Sequence, residues 1–186
     1  MDAEEDLVRR SRAGDHLAFA RLVDMHQMIA RRVATTMIDP ADADDVVQDA
    51  FVKAYTRLDQ FRDGHRFQAW LLAIVANEAR NRHRAAGRRA AVTLRVASEE
   101  GRSDDDGVVA SDPERAHEAG AQRQRLADAV AALPERDREV VALRYFAELS
   151  EAEAAAALDV PVGTVKSRLS RALVRLRTTL AEEVPT

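Results

Sequence analysis

A chain of 186 residues, 46% hydrophobic and 32% charged, has room for one modest globular domain or two small ones joined by a linker. Its formal net charge of -4 excludes a protein that coats nucleic acid non-specifically, because that affinity comes mainly from neutralising phosphates with Lys and Arg; any nucleic-acid contact must be local. The absence of cysteine excludes disulfides, thiolate zinc sites and cysteine nucleophiles.

Aromatic residues make up only 4% of the chain and alanine is abundant, which favours closely packed helices over sheets. The acidic start Met1-Asp2-Ala3-Glu4-Glu5-Asp6 has the wrong charge for a secretory signal. The apolar stretch around Trp70 to Ala76 falls far short of the roughly 20 residues that span a bilayer. These features predict an all-α, soluble, cytoplasmic protein without a membrane segment of its own.

In chain order, Phe19, Leu22, Val23, Ile29, Val33 and Met37 recur at helical spacing and predict one long amphipathic helix from Asp15 to Ile38. Asp39-Pro40 stops it, and a second helix begins near Asp42 with Val47, Phe51, Ala54 and Leu58 on one stripe. A third runs from about Phe67 to Arg84. Between the last two, Asp59 to Arg66 is polar, contains Gly64, and has Phe61 as its one large apolar residue. Residues 85 to 120 have few large apolar groups and carry Gly87, Gly101, Gly107, Pro113 and Asp104-Asp105-Asp106, so they predict a flexible linker. Helical periodicity returns with Leu126, Val130 and Leu133, is broken by Pro134, and continues through Val140, Val141, Leu143 and Phe146.

The strongest local signal lies near the C-terminus. Ser150-Glu151-Ala152-Glu153 reads as a capping box, in which the serine hydroxyl and the glutamate three residues on satisfy free backbone donors at a helix start. The short helix it opens ends at Asp159-Val160-Pro161-Val162, and Gly163-Thr164 opens a longer helix with no acid before Glu182. At about 100 degrees per residue, Val165, Leu169, Ala172 and Leu176 share one stripe that faces a core. The opposite face carries Lys166, Ser167, Ser170 and Arg171, flanked by Thr164 and Arg168. Short hydroxyls and long cations on a slim helix suit the DNA major groove, and this reading is preferred to a basic helix that is merely solvated.

Two further surfaces stand out. In the second helix the face away from the core carries Asp45, Gln48, Asp49, Val52 and Thr56, an acidic patch around an exposed valine; it suits protein docking better than DNA. On charge pattern alone, a solvated acidic helix is its simpler reading. The third helix starts with Phe67, Trp70, Leu71 and Ile74, read as core, and continues with Asn77, Arg80, Asn81 and Arg84 on one face. From Arg80 to Arg95, arginines 80, 82, 84, 88, 89 and 95 meet no acid along the chain, which concentrates attraction for phosphates there. A basic helix end stabilised by its own dipole is the alternative for the outermost arginines. Histidines 16, 26, 65, 83 and 117 are scattered away from the carboxylates at 42, 44, 45 and 49, and no phosphate-cradling glycine loop occurs, so no metal, cofactor or catalytic site is expected.

The run Asp159 to Arg175, DVPVGTVKSRLSRALVR, resembles region 4 of the extracytoplasmic-function sigma factors, the small alternative initiation subunits of bacterial RNA polymerase. Asp159 departs from a common glycine, and Ala154 to Ala157 from a bulkier aliphatic residue. Asp44-Asp45-Val46-Val47-Gln48-Asp49-Ala50-Phe51 resembles the family's polymerase-binding helix, and Phe67 to Arg89 its downstream promoter-reading segment.

The resemblance implies region 2 at residues 1–90, an acidic linker at 91–121 and region 4 at 122–186. It implies contacts from Asp45, Gln48, Asp49 and Val52 to the clamp helices of the polymerase largest subunit, with the flap region as a second polymerase contact. It further implies reading of the -10 element by Phe61, Asn77, Arg80, Asn81 and Arg84, with Phe61 in a loop that holds a flipped base or simply anchors that loop. Reading of the -35 element is implied for Thr164, Lys166, Ser167, Arg168, Ser170 and Arg171. Promoter DNA and an anti-sigma factor are implied as partners, and a linker that threads the polymerase cleft. Two alternatives stay open: a free-standing DNA-binding regulator, which would bind duplex DNA without polymerase, and a helical interaction module with no role on DNA.

Overall fold

The computed structural model describes residues 3–62, 64–93 and 113–182, and every regular element among them is helical. The first helix, α1 (Ala3–Arg12), escapes the periodicity argument because it is short and buries only Val8 and Ser11. Its acids Glu4, Glu5 and Asp6 sit in the first turn and Arg9, Arg10 and Arg12 in the last, each matching the helix dipole. Gly14, at φ +89, turns the chain, and Asp15 caps α2 (His16–Met37) by accepting hydrogen bonds from the backbone N–H groups of Leu17 and Ala18. α1 is bound to its neighbours by polar contacts. Glu4 meets the buried His26 of α2 at 2.6 Å, and Arg12 donates to the carbonyls of Leu58 (3.1 Å) and Phe61.

Asp39 caps α3 (Pro40–Thr56), with Pro40 in the first turn, where a missing N–H is harmless. The buried stripe of α3 is Ala43, Val46, Ala50, Phe51 and Ala54, one position round from the predicted one. Val47 is only half-buried at the core edge, and Leu58, though buried, belongs to the following 3-10 turn Leu58–Gln60. The alanines explain the rotation, since small side chains at 43, 50 and 54 let α3 lie close to α2 and α4. α4 (Phe67–Thr93) continues past the predicted end at Arg84.

The second half comprises α5 (Pro113–Ala131), α6 (Glu135–Val141), a π-helical turn (Ala142–Phe146), α7 (Glu151–Leu158) and α8 (Val162–Glu182). Of the predicted linker, 91–121, residues 94–112 lie outside the described residues, as do the side chains of Arg88 and Arg89 and all of Arg95. At both described ends the predicted linker is helical: α4 reaches Thr93 and α5 starts at Pro113.

The two halves are not held apart. One buried cluster joins Leu22, Val33, Phe67 and Leu72 to Val140, Leu143, Leu149, Leu158 and Val165, and a smaller one unites α5, α6 and α8 around Val130, Leu133, Ala172 and Leu176. Polar contacts stitch the seam: Gln68 donates to the Ala147 carbonyl at 3.1 Å, Arg66 meets Glu153 at 3.4 Å, and the Arg32 guanidinium lies 4.9 Å from the Phe146 ring centre. Among the described residues no helix is long and apolar enough to cross a membrane.

Candidate nucleic-acid interface

The start of α7 has the predicted capping box. The Glu153 N–H donates to Ser150 Oγ at 3.2 Å, and the Ser150 N–H donates to Glu153 Oε2 at 2.7 Å. Partial burial pushes the Glu153 carboxyl up, but the Ser150 hydrogen bonds and the Arg66 guanidinium outweigh it and hold the group below its ordinary value. α7 ends at Asp159, which adopts the left-handed conformation at φ 53. This is where the resembled family often has glycine, and Asp is among the few side chains that tolerate the geometry. The Val160 N–H then closes the turn on the Ala155 carbonyl at 3.0 Å.

α8 buries Val165, Ala172 and Leu176, with Leu169 half-buried, as the stripe predicts. Its opposite face leaves Lys166, Ser167, Ser170 and Arg171 exposed, with Thr164 and Arg168 half-buried on the flanks. Lys166 pairs with Glu151 at 3.5 Å. Arg171 and Arg175 both reach Asp137 of α6, at 3.4 and 2.9 Å. The sequence reading missed Arg175, although it stands one helical turn after Arg171 on the same face.

On α4 the structure separates residues that the helical rule groups together. Asn77, Asn81 and Arg84 are exposed on one face, with Arg84 donating to Asn81 Oδ1 at 2.8 Å. Arg80, on the flank beside buried Ala76 and Ala79, turns into the seam instead: it donates to the Leu158 carbonyl at 3.1 Å and lies 3.9 Å from Glu139. Burial raises the Glu139 carboxyl above its ordinary value, against the pull of Arg80. Arg82, which meets no acid along the chain, meets two in space, Asp42 at 3.1 Å and Asp45 at 2.5 Å. The basic surface of α4 is therefore narrower than the sequence suggests.

Phe61 is not an exposed ring. It is 6% exposed and packs against Phe67 and Trp70 at centroid distances of 5.8 and 5.4 Å. The Arg12 guanidinium lies 5.7 Å from its ring centre. Burying a phenylalanine stabilises by roughly 2 kcal/mol, which is why the one apolar residue of a polar loop folds inward and anchors it. The polar loop residues Arg62, His65 and Arg66, with Trp70 and α7 residues Glu153 and Ala157, line a cavity of about 320 Å³ at the seam. Trp70 is half-buried and packs against the core, as predicted.

The acidic face of α3 is exposed at Asp45, Gln48 and Asp49, and Val52 is 58% exposed. What the sequence does not reveal is that α2 completes it. Phe19 and Val23 of α2 join Val47, Phe51, Val52 and Tyr55 of α3 in an apolar groove of about 670 Å³, rimmed by Asp24, Gln27, Asp44 and Gln48.

Comparison with known proteins matches two stretches of the chain. Residues 21–89 match the family model Sigma-70 region 2, and residues 123–176 match Sigma-70, region 4. The ECF RNA polymerase sigma-E factor of Escherichia coli strain K12 is 37% identical over 171 residues, 91% of this chain and 90% of that protein. The Haemophilus influenzae protein of the same name is 34% identical over 172 residues, with the same shares covered. Among solved structures, CnrH in complex with the cytosolic domain of CnrY superposes with a TM-score of 0.69 at 29% identity, covering 98% of this chain and 100% of that one. The sigma factor RpoE in complex with the anti-sigma factor NepR from Bartonella quintana superposes with a TM-score of 0.72 at 28% identity, over 89% of this chain and 98% of that one. The capped helix-turn-helix begins within the region 4 match, α3 and most of α4 lie within the region 2 match, and with a relative 37% identical over 91% of its length the chain belongs to the extracytoplasmic-function sigma factors, alternative subunits that direct RNA polymerase to promoters.

Proposed function

We propose that the α2–α3 groove is the docking site for core RNA polymerase, that Asn77, Asn81 and Arg84 contact the -10 element, and that the outer face of α8 reads the -35 element. The observation that carries the docking assignment is the apolar groove with Val52 exposed at its edge and carboxylates on its rim, the mix of apolar centre and charged border that protein interfaces use. Lys166, Ser167, Ser170 and Arg171 carry the -35 assignment, because Arg and Lys grip guanine while hydroxyls serve bases or phosphates. Thr164 and Arg168 contribute from the flanks. Phe61 serves by holding its loop in shape, and the chain itself catalyses nothing. Its setting is the cytoplasm, where the polymerase works, and an anti-sigma factor, like the one bound to the Bartonella quintana neighbour, is its expected regulator.

The closed seam adds a condition. The -10 and -35 elements lie about 25 base pairs apart, roughly 85 Å at 3.4 Å per step, whereas a compact chain of this length has a radius of gyration of about 16 Å. Both elements cannot be read at once while α4 and α7 stay packed, so the halves separate on the polymerase, releasing Arg80 from Leu158 and Glu139 to join the -10 contacts. A free-standing regulator, by contrast, binds duplex unaided. The test is a mobility shift on a promoter fragment: the chain alone leaves it unshifted, the chain with core polymerase shifts it, and Val52→Arg abolishes the joint complex. A specific shift by the chain alone refutes the reading.

A further inference from the structure

Asp137 is one of four buried polar residues among the described ones, at 4% exposure, and it sits in the first turn of α6. A carboxylate taken out of water costs several kcal/mol unless partners replace its hydration. Both partners come from α8: Oδ1 accepts from Arg171 Nη2 at 3.4 Å and Oδ2 from Arg175 Nη1 at 2.9 Å. The arginine side chains remain 58% and 50% exposed, so each is held at one end and open at the other.

That arrangement bears on reading DNA. A free arginine has about 2 kcal/mol of rotamer entropy to lose when it fixes on a base edge. Held from beneath by a buried acid, it has lost part of that freedom before DNA arrives, which is how a supporting residue preorganises a contact. Arg171 spends one of five N–H donors on Asp137, and the remaining donors suffice for a bidentate grip on guanine O6 and N7.

Resting on the assignment of α8 to the -35 element, we infer that Asp137 is a positioning residue for promoter specificity: it aims Arg171, and with it Arg175, at the upstream element without touching DNA itself. Two simpler roles make different forecasts. If Asp137 only strengthens the start of α6, its loss weakens folding and all DNA binding alike. If it only cancels positive charge, its loss tightens binding and leaves discrimination intact.

The experiment uses the full chain with core polymerase, a promoter duplex that gives chain-dependent complexes, and the same duplex with its upstream element randomised. Asp137→Asn keeps the side-chain volume and removes the charge. It is expected to lower the affinity ratio between the two duplexes about tenfold, within the range one bidentate contact supports. Binding to the randomised duplex holds or improves, and the dependence of log affinity on log salt steepens by up to about one as a cation is freed for phosphate. Asp137→Glu, which keeps the acid, recovers most of the discrimination. Arg171→Ala is the reference, with a loss at least as large. If Arg171→Ala loses discrimination and Asp137→Asn does not, the positioning role is wrong while the reading of α8 stands. If neither changes the ratio, the reading of α8 falls and takes the proposal with it. Equal weakening on both duplexes, with a lowered melting temperature, overturns the proposal in favour of a purely structural acid.

Discussion

Glu139 carries a charge that its surroundings resist. It is 3% exposed, and burial lifts its carboxyl above the ordinary value of 4.5, with the guanidinium of Arg80 only partly opposing. A carboxyl whose native pKa exceeds its unfolded one stabilises fully below the unfolded value, and that contribution is lost as pH rises through the native one. Glu139→Gln, neutral throughout, is therefore expected to melt above the parent protein at about pH 7, and the gap is expected to close near pH 4 in melts recorded across that range. Ser150 belongs to the same scale. Ser150→Ala leaves the α7 donor without its hydroxyl partner and is expected to lower stability by about 1 kcal/mol in urea unfolding. Ser150 and Glu153 were readable from the sequence because a cap is a local device. For Phe61 the sequence leaves loop anchor and base holder both open, and the ring contacts with Phe67 and Trp70 favour the anchor; the deflection of Arg80 was not readable, since it depends on α6 and α7, far away in the chain.

Elements were legible in proportion to how much of their pattern is their own. α2 and α8 have wide apolar stripes, and the structure places them close to where periodicity does. α1 is too short to show a period, and the stripe of α3 is made largely of alanines, whose burial depends on how close its neighbours come. The α2–α3 groove had only half its signal in α3; the other half, Phe19 and Val23, reads as ordinary core until the two helices are set side by side. Docking is a property of that pair. Asp49→Ala on the rim is expected to weaken binding to core polymerase several-fold, and Val52→Arg, which puts a solvated charge on the apolar edge, at least tenfold, in equilibrium titrations of labelled chain. On α8, Arg171→Ala is expected to cost about tenfold in upstream-element discrimination and leave polymerase affinity as it was.

The whole molecule joins two recognisable sigma regions through a buried cluster that neither region's sequence announces. The sequence alone predicts two units and a tether. The seam adds that Arg80 and the loop around Phe61 face α6 and α7 in the closed chain. The chain has no cysteine, so Arg66→Cys and Glu153→Cys, placed where the native side chains lie 3.4 Å apart across the seam, can be joined by a short thiol-reactive cross-linker without competing sites. Run-off transcription with core polymerase then tests the account directly. The unlinked double variant and the parent chain are expected to yield promoter-specific transcripts and the linked chain none; transcripts from the linked chain at the parent's level, or none from the parent, would contradict it.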